Sequence, residues 1–133
     1  MARVADIVSR ALRILRVVDA HSAPSAQEMA DGIVALNGMM RRWEANGLAL
    51  GWSDVEGPDD QVPAPDEAHE AIVYNLALKL RPEYGAALEP DVVQHAADGH
   101  AALRRDVLTA SPLQVTPRSP REGRYNIYTD SWD

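Results

Sequence analysis

The sequence predicts an all-α protein: a small bundle of about four helices, a long acidic loop between the second and third helices, and an extended C-terminal arm. Apolar residues recur at helical spacing through four segments. The 133 residues fit one domain, which we divide into a helical body at 1–110 and an arm at 111–133. Phenylalanine is absent and aromatic residues are few, so the core must be aliphatic and rich in alanine.

The first helix is predicted at residues 2–18, and a connection containing turn residues and a proline follows at 19–24. Arg3, Arg10 and Arg13 lie largely on the side opposite the apolar face. That face comprises Val4, Ile7, Val8, Ala11, Leu12, Leu15 and Val18.

The second helix is predicted from a capping box at Ser25 and Glu28 to about Asn46, with Gly47 placed to end it at the C′ position. Its apolar stripe comprises Met29, Ile33, Leu36, Met40 and Trp43, with Gly32 and Gly38 in the helix interior. Each glycine weakens a helix by about 1 kcal/mol, which is tolerable where another helix packs closely.

Residues 48–64 lose the helical period and indicate either a loop or a short hairpin. Residues 52–70 contain seven acidic residues and neither lysine nor arginine. The carboxylates that we assign to the acidic loop are Asp54, Glu56, Asp59 and Asp60. Loops of this length are often functional, although a solvated acidic surface is the simpler alternative.

The third helix, predicted at 66–80, is the expected centre of the bundle. Its apolar stripe is Ala68, Ile72, Leu76 and Leu80, at steps of four residues. A break is predicted at Arg81-Pro82, because proline disrupts a helix interior. The fourth helix is predicted from Pro90 to about Thr109, with a stripe of Val92, Val93, Ala96, His100, Leu103 and Val107.

The C-terminal arm contains three prolines and few apolar residues until its end. Aromatic and apolar side chains then follow at Tyr125, Ile127, Tyr128 and Trp132, which is unusual for a disordered tail. Arg118, Arg121 and Arg124 recur every third residue and would share one side of an extended arm. We interpret the segment as an arm that becomes ordered when it binds a partner. The three arginines would then pair with carboxylates of that partner, and the alternative is that they belong to a solvated tail.

Several classes of function lack support in the sequence. A net charge of −7 argues against nucleic-acid binding through a basic face. Cysteine is absent, no run of 18 apolar residues exists, and neither a GxSxG motif nor a P-loop is present. His95 and His100 are five residues apart, about 140° around a helix, which does not suit a metal pair. We therefore expect no cofactor, no metal, no catalytic residue and no membrane contact.

An ordered set of segments resembles a known family. It comprises Tyr74-Asn75-Leu76-Ala77 followed by Arg81-Pro82-Glu83-Tyr84, and Ala35 to Met40 leading to Trp43 and Gly47. Over residues 2–108 the chain resembles the tail accessory factors, or packaged-DNA stabilisation proteins, of short-tailed phages. These proteins are relatives of the broader head-to-tail adaptor (connector) proteins.

The resemblance implies a structural virion protein at the head–tail junction, made in the host cytoplasm. Such adaptors form a ring, typically a dodecamer, that docks under the portal protein and joins the next tail or nozzle protein. The ring retains packaged DNA, which passes through the lumen without specific binding. The portal-binding arm would comprise Arg118, Arg121, Arg124, Tyr125, Ile127, Tyr128 and Trp132.

Two features of the residues fit this picture. Acidic side chains facing the lumen would repel the DNA backbone, so that the duplex slides. Neighbouring subunits need two different complementary surfaces, for which Arg10 and Arg13 with Glu67 and Glu70 are candidates.

Two alternatives to a structural role remain open. One is a small cell-wall hydrolase associated with a phage tail, which would use a carboxylate such as Glu70 or Glu83. The other is a helical regulator, which requires a basic recognition helix that the sequence lacks.

Overall fold

The computed structural model describes residues 2–110, 125–126, 128 and 131–132, and in these the chain is all-α, as predicted. The four helices are α1 (Val4–Ile14), α2 (Ala26–Ala45), α3 (His69–Tyr84) and α4 (Pro90–Ala110). One turn of 3-10 helix, Asp66–Ala68, leads into α3. In the arm, β1 (Tyr125–Asn126) pairs antiparallel with β2 (Ser131–Trp132), a short hairpin that the sequence did not predict.

Helix α3 is the centre of the bundle, as predicted, because α1, α2 and α4 all pack against it. The predicted stripe of Ala68, Ile72, Leu76 and Leu80 is completely buried. Ala71, Val73 and Ala77 are also buried, so the helix is covered on most of its surface. Each fully buried leucine or isoleucine contributes roughly 1.5–3 kcal/mol, so Ile72, Leu76 and Leu80 each add substantially to core stability.

The predicted break at Arg81-Pro82 is wrong, because α3 continues through Pro82 to Tyr84. Pro82 lies in the last turn, where its missing N–H costs one hydrogen bond near the helix end. Leu80 is fully buried and Tyr84 packs against the core, and both contacts favour continuing the helix. The helix ends instead at Gly85, which has a left-handed φ of 62°.

The first helix is shorter than the predicted range of 2–18. At its start, Arg3 forms an isolated bridge with Gln61, which keeps the first residues extended. At its end, Arg16 adopts a left-handed φ of 60°. The Arg16 N–H donates to the Arg13 carbonyl and the Val17 N–H donates to the Leu12 carbonyl, which is a Schellman motif formed without glycine.

The predicted limits of the second helix are confirmed. The Glu28 N–H donates to Ser25 Oγ at 3.2 Å, and the Ser25 hydroxyl donates to Glu28 Oε1 at 3.1 Å. At the other end, Gly47 has a φ of 92°, and the Leu48 N–H donates to the Trp43 carbonyl at 2.9 Å. Both ends of α2 are therefore fixed by local hydrogen bonds that the sequence encodes.

The two glycines inside α2 differ in their surroundings. A Cβ added at Gly32 would lie 2.4 Å from Val8 Cγ1, so α1 packs directly against this position. A Cβ added at Gly38 would meet nothing within 4 Å. Another helix therefore packs closely at Gly32 but not at Gly38.

This contrast gives a prediction with an internal control. Replacing either glycine with alanine gains up to about 1 kcal/mol of helix propensity. At Gly32 the added methyl collides with Val8, which is fully buried and stiff, so we expect Gly32→Ala to lower the free energy of unfolding by about 1–2 kcal/mol. Gly38→Ala should raise it by about 0.5–1 kcal/mol. Urea titration of both variants measures the difference, and equal stabilisation by the two would contradict the packing described.

Helix α4 faces α3 with Val92, Ala96, Gly99 and Leu103. Val92, Ala96 and Leu103 are buried, whereas Val93, which we predicted on this face, is 37% exposed. Gly99 takes part because a Cβ there would lie 2.8 Å from Ala71 Cβ. The helices approach closely at this point. Residues 92, 96, 99 and 103 recur at steps of three and four, so they form one line of contact along α4.

Candidate functional site

The segment between α2 and α3, the predicted acidic loop, forms no hairpin and is held against the bundle. The Asn37 amide donates to the Val55 carbonyl at 2.9 Å and accepts from the Val55 N–H at 3.0 Å. Glu44 Oε1 accepts from the Trp52 N–H at 2.6 Å. Trp52 and Val55 are both buried, so the loop is attached by hydrogen bonds and by apolar contacts.

The loop also caps the start of α1. The Val4 N–H donates to the Asp60 carbonyl and the Ala5 N–H donates to the Pro58 carbonyl, each at 2.9 Å. These N–H groups lack partners within their own helix, so the loop backbone supplies them. The acidic loop is therefore a structural part of the fold, and its carboxylates have defined positions.

The four predicted acidic-loop carboxylates have different surroundings. Arg41 forms a two-pronged ion pair with Asp54, and this hydrogen bonding lowers the Asp54 pKa. Asp60 Oδ2 accepts from the Glu56 and Gly57 N–H groups at 2.9 and 3.1 Å, which lowers the Asp60 pKa. Glu56 and Asp59 point to solvent, with Asp59 4.0 Å from Arg3. Two of the four therefore hold the loop, and two present charge outward.

The role of Asp60 predicts a dependence on pH. Because its pKa is lower in the folded state, the stabilisation is fully present above the unfolded value of about 3.9 and is lost as pH falls through the folded pKa. We expect Asp60→Asn to be less stable than the parent protein at pH 7, and the difference to shrink below about pH 4. Thermal unfolding from pH 2 to 7 measures this. Asp59→Asn is the matched control and should leave stability at pH 7 nearly unchanged, whereas a constant Asp60→Asn difference across the range would contradict the assignment.

The four residues predicted for subunit contacts lie on the surface. Arg10 and Arg13 are exposed on α1, Glu67 lies in the 3-10 turn, and Glu70 lies in the first turn of α3. Arg10 Nη2 is 4.0 Å from Glu70 Oε1 within the same chain. The basic and acidic candidates are thus neighbours on adjacent elements, and an exposed pair of this kind contributes little to stability.

A groove of about 480 Å³ runs between the start of α3 and the middle of α4. Its floor is made by Ala71, Gly99 and Ala102, small side chains that let the helices approach closely. Its remaining lining residues are Glu67, Glu70, Tyr74, His95, Asp98, Leu103 and Asp106. We call this feature the acidic groove. We did not predict this groove from the sequence, although Gly99 on the contact line of α4 was a signal for close helix packing.

The histidines on α4 pack against aromatic rings. The His100 ring meets the Trp43 ring edge-on at 4.9 Å, and burial, with a smaller effect from Arg104, lowers the His100 pKa. The His95 ring lies 5.0 Å from that of Tyr74. Among the described residues, no group of three histidine, cysteine, aspartate or glutamate side chains is arranged to hold a metal ion.

The two carboxylates named for the hydrolase alternative lie on one helix. Glu70 and Glu83 are thirteen residues apart on α3, about 20 Å along its axis. Paired glycosidase carboxylates are separated by about 5–9.5 Å. These two side chains therefore do not form such a pair.

The structure describes only some of the predicted arm residues. Arg118, Arg121, Arg124 and Ile127 lie outside the described residues. The backbones of Tyr125 and Trp132 are paired in the register of β1 and β2, and Tyr128, in the turn between the strands, is 94% exposed. In the described part of the chain, no helix has the length and apolar character needed to cross a membrane.

The described residues define a small all-α bundle with an attached acidic loop and charged surfaces. The family model described as P22 tail accessory factor matches residues 2–130, and the chain belongs to this family. Membership gives it a structural, tail-related role as a phage virion component. Among curated proteins we found no match to the chain.

Proposed function

We propose that this protein is a ring-forming head-to-tail adaptor that docks under the portal, retains packaged DNA and receives the next tail component. The observation that carries the proposal is the extent of the family match, since residues 2–130 include both the helical body and most of the arm. The ring is a dodecamer in this proposal, and its role is structural, without catalysis.

The acidic surface supports the channel part of the proposal. The chain carries a net charge of −7, and Glu56 and Asp59 present carboxylates to solvent from a loop that is attached to the bundle. Fixed negative charges around a lumen would repel DNA phosphates. The duplex could then move through without specific binding.

Contacts between subunits would use the charged groups of α1 and the start of α3. Arg10 and Glu70 have side chains that are 53% and 71% exposed, so both remain accessible despite their proximity. In a ring, each subunit presents one surface to the neighbour on one side and a different surface to the other. Arg10, Arg13, Glu67 and Glu70 would belong to one of these two surfaces, because Arg10 and Glu70 are 4.0 Å apart on the same subunit.

The arm is the proposed portal-binding element. Tyr128 is almost fully exposed, which suits an aromatic anchor that fills a pocket on a partner. Arg118, Arg121 and Arg124 would pair with portal carboxylates. Because all arms of a ring bind together, weak single contacts would add up to firm attachment.

Co-sedimentation with purified cognate portal rings tests this function. We expect the full chain to pellet with the rings at about 0.1 M salt and less at about 1 M, where charge pairs are screened. Tyr128→Ala should reduce the bound fraction, and Tyr74→Ala, at a half-buried position in the bundle, serves as the control for a lost tyrosine. A chain that remains in the supernatant at every salt concentration would rule the proposal out.

A further inference from the structure

We propose that the acidic groove binds the Arg118–Arg124 segment of the same chain, so that the free subunit carries its arm folded back between α3 and α4. This contact concerns the subunit before assembly and requires no portal. It therefore goes beyond the proposed function.

The first argument is charge complementarity. Glu67, Glu70 and Asp98 line the groove, and no lysine or arginine is among the described lining residues. Arg10 Nη2 lies 4.0 Å from Glu70 Oε1. Gln94 donates to Asp98 at 2.9 Å, a bond that leaves the negative charge in place. Arginine binds carboxylates in a two-pronged geometry, and the arm carries three arginines.

The second argument is shape. The groove floor at Ala71, Gly99 and Ala102 carries no side chain larger than a methyl group. An extended peptide can therefore lie along it with its arginine stems against the apolar floor and its guanidinium groups at the acidic sides. With three residues per turn, the arginines at 118, 121 and 124 would point the same way.

The third argument is length and starting point. The groove extends along α4 from His95 to Asp106, about 16 Å at 1.5 Å per residue. An extended segment from Arg118 to Arg124 covers about 19 Å. The arm leaves α4 at Ala110, about one turn beyond Asp106, and the seven residues 111–117 are enough to reverse direction. Because a short tether joins the arm to α4, the effective concentration of the arm at the groove is about millimolar. This favours binding to the groove of the same chain over the groove of another copy.

Engineered cysteines test the contact directly, since the natural chain has none. The test variant is Ala102→Cys with Ser119→Cys, and the control is Ala101→Cys with Ser119→Cys, because Ala101 is exposed and does not line the groove. In full-length protein without portal at low salt, we expect the test variant to form its disulfide about tenfold more than the control. At about 1 M salt the two should converge, because the Debye length falls to about 3 Å.

Charge reversal and isotope labelling complete the test. Glu70→Lys with Asp98→Lys should abolish the excess of disulfide formation in the test variant over the control. Arg121→Glu with Arg124→Glu should do the same. Combining all four changes should restore the excess, because the opposite charges again face each other. Mixing light and heavy labelled copies separates disulfides within one chain from those between chains. Equal cross-linking at both positions overturns the proposal, and so does cross-linking that occurs only between copies. Portal binding is not measured here, so failure would leave the adaptor proposal intact.

Discussion

Replacing Asn37 with leucine is expected to lower the free energy of unfolding by about 3 kcal/mol. The Asn37 amide bonds both the N–H and the carbonyl of Val55, and leucine would leave these partly buried groups without partners. Each unsatisfied buried group costs about 1–3 kcal/mol. The carbonyls of Pro58 and Asp60 in the same loop cap the start of α1, so a displaced loop should also destabilise the first helix. Chemical denaturation measures the loss.

Two control variants separate this contact from general effects on α2. Asn37→Asp keeps the oxygen that accepts from the Val55 N–H but loses the donor, so we expect a smaller loss, about half as large. Gln27→Leu removes an exposed side chain whose amide donates to Asp31, and should change stability by less than about 0.5 kcal/mol. If Asn37→Leu were as stable as the parent protein, the loop would not depend on this side chain.

Gly99→Val is expected to cost about 3 kcal/mol, at the upper end of the range for overpacking. An added Cβ would lie 2.8 Å from the Cβ of Ala71 and 3.0 Å from its Cα, and a backbone atom cannot rotate away. The helices α3 and α4 would have to separate. This movement would strain the 3.1 Å hydrogen bond from the Asn75 amide to the Ala96 carbonyl.

Ala101→Val is the matched control for Gly99→Val. Ala101 is exposed on the same helix, so valine there should cost only its lower helix propensity, about 0.5 kcal/mol. Adding Ala71→Gly to Gly99→Val should recover part of the lost stability, since it removes the methyl group that the valine meets. Equal losses for Gly99→Val and Ala101→Val would show that the helices do not approach closely at this position.

The sequence predicted the helices best where local chemistry fixes them. Ser25, Glu28 and Gly47 define both ends of α2 through hydrogen bonds to residues three to five positions away. The four-residue spacing from Ala68 to Leu80 identified the buried face of α3 and its central place. These signals are contained within one segment, so they can be read without knowledge of the fold.

The errors occurred where contacts distant in sequence decide the local structure. Pro82 is tolerated because Leu80 and Tyr84 on either side of it pack against the bundle. Arg16 ends α1 in a conformation that non-glycine residues seldom adopt. The loop is fixed by Asn37, eighteen residues before its partner Val55, and no pattern in the loop itself indicates that anchor.

The candidate site, like the helices, was only partly predictable from the sequence. The acidic character of residues 52–70 was evident from composition, but the hydrogen bonds of Asp60 to the loop backbone and the pairing of Asp54 with Arg41 required the fold. The acidic groove exists only because α3 and α4 pack side by side at Ala71 and Gly99. Arg118, Arg121 and Arg124 lie beyond the described residues, so their role as a portal-binding set remains a prediction.

The adaptor role is tested most directly by native mass spectrometry of the protein mixed with its cognate portal ring. The full chain and a chain ending at Ala110 should be compared, since the buried core residues of the described structure all lie between Val4 and Leu103. We expect the full chain to bind the ring in multiple copies and the shortened chain not to bind. Binding by both would move the interface from the arm to the helical body. Binding by neither would contradict the adaptor role.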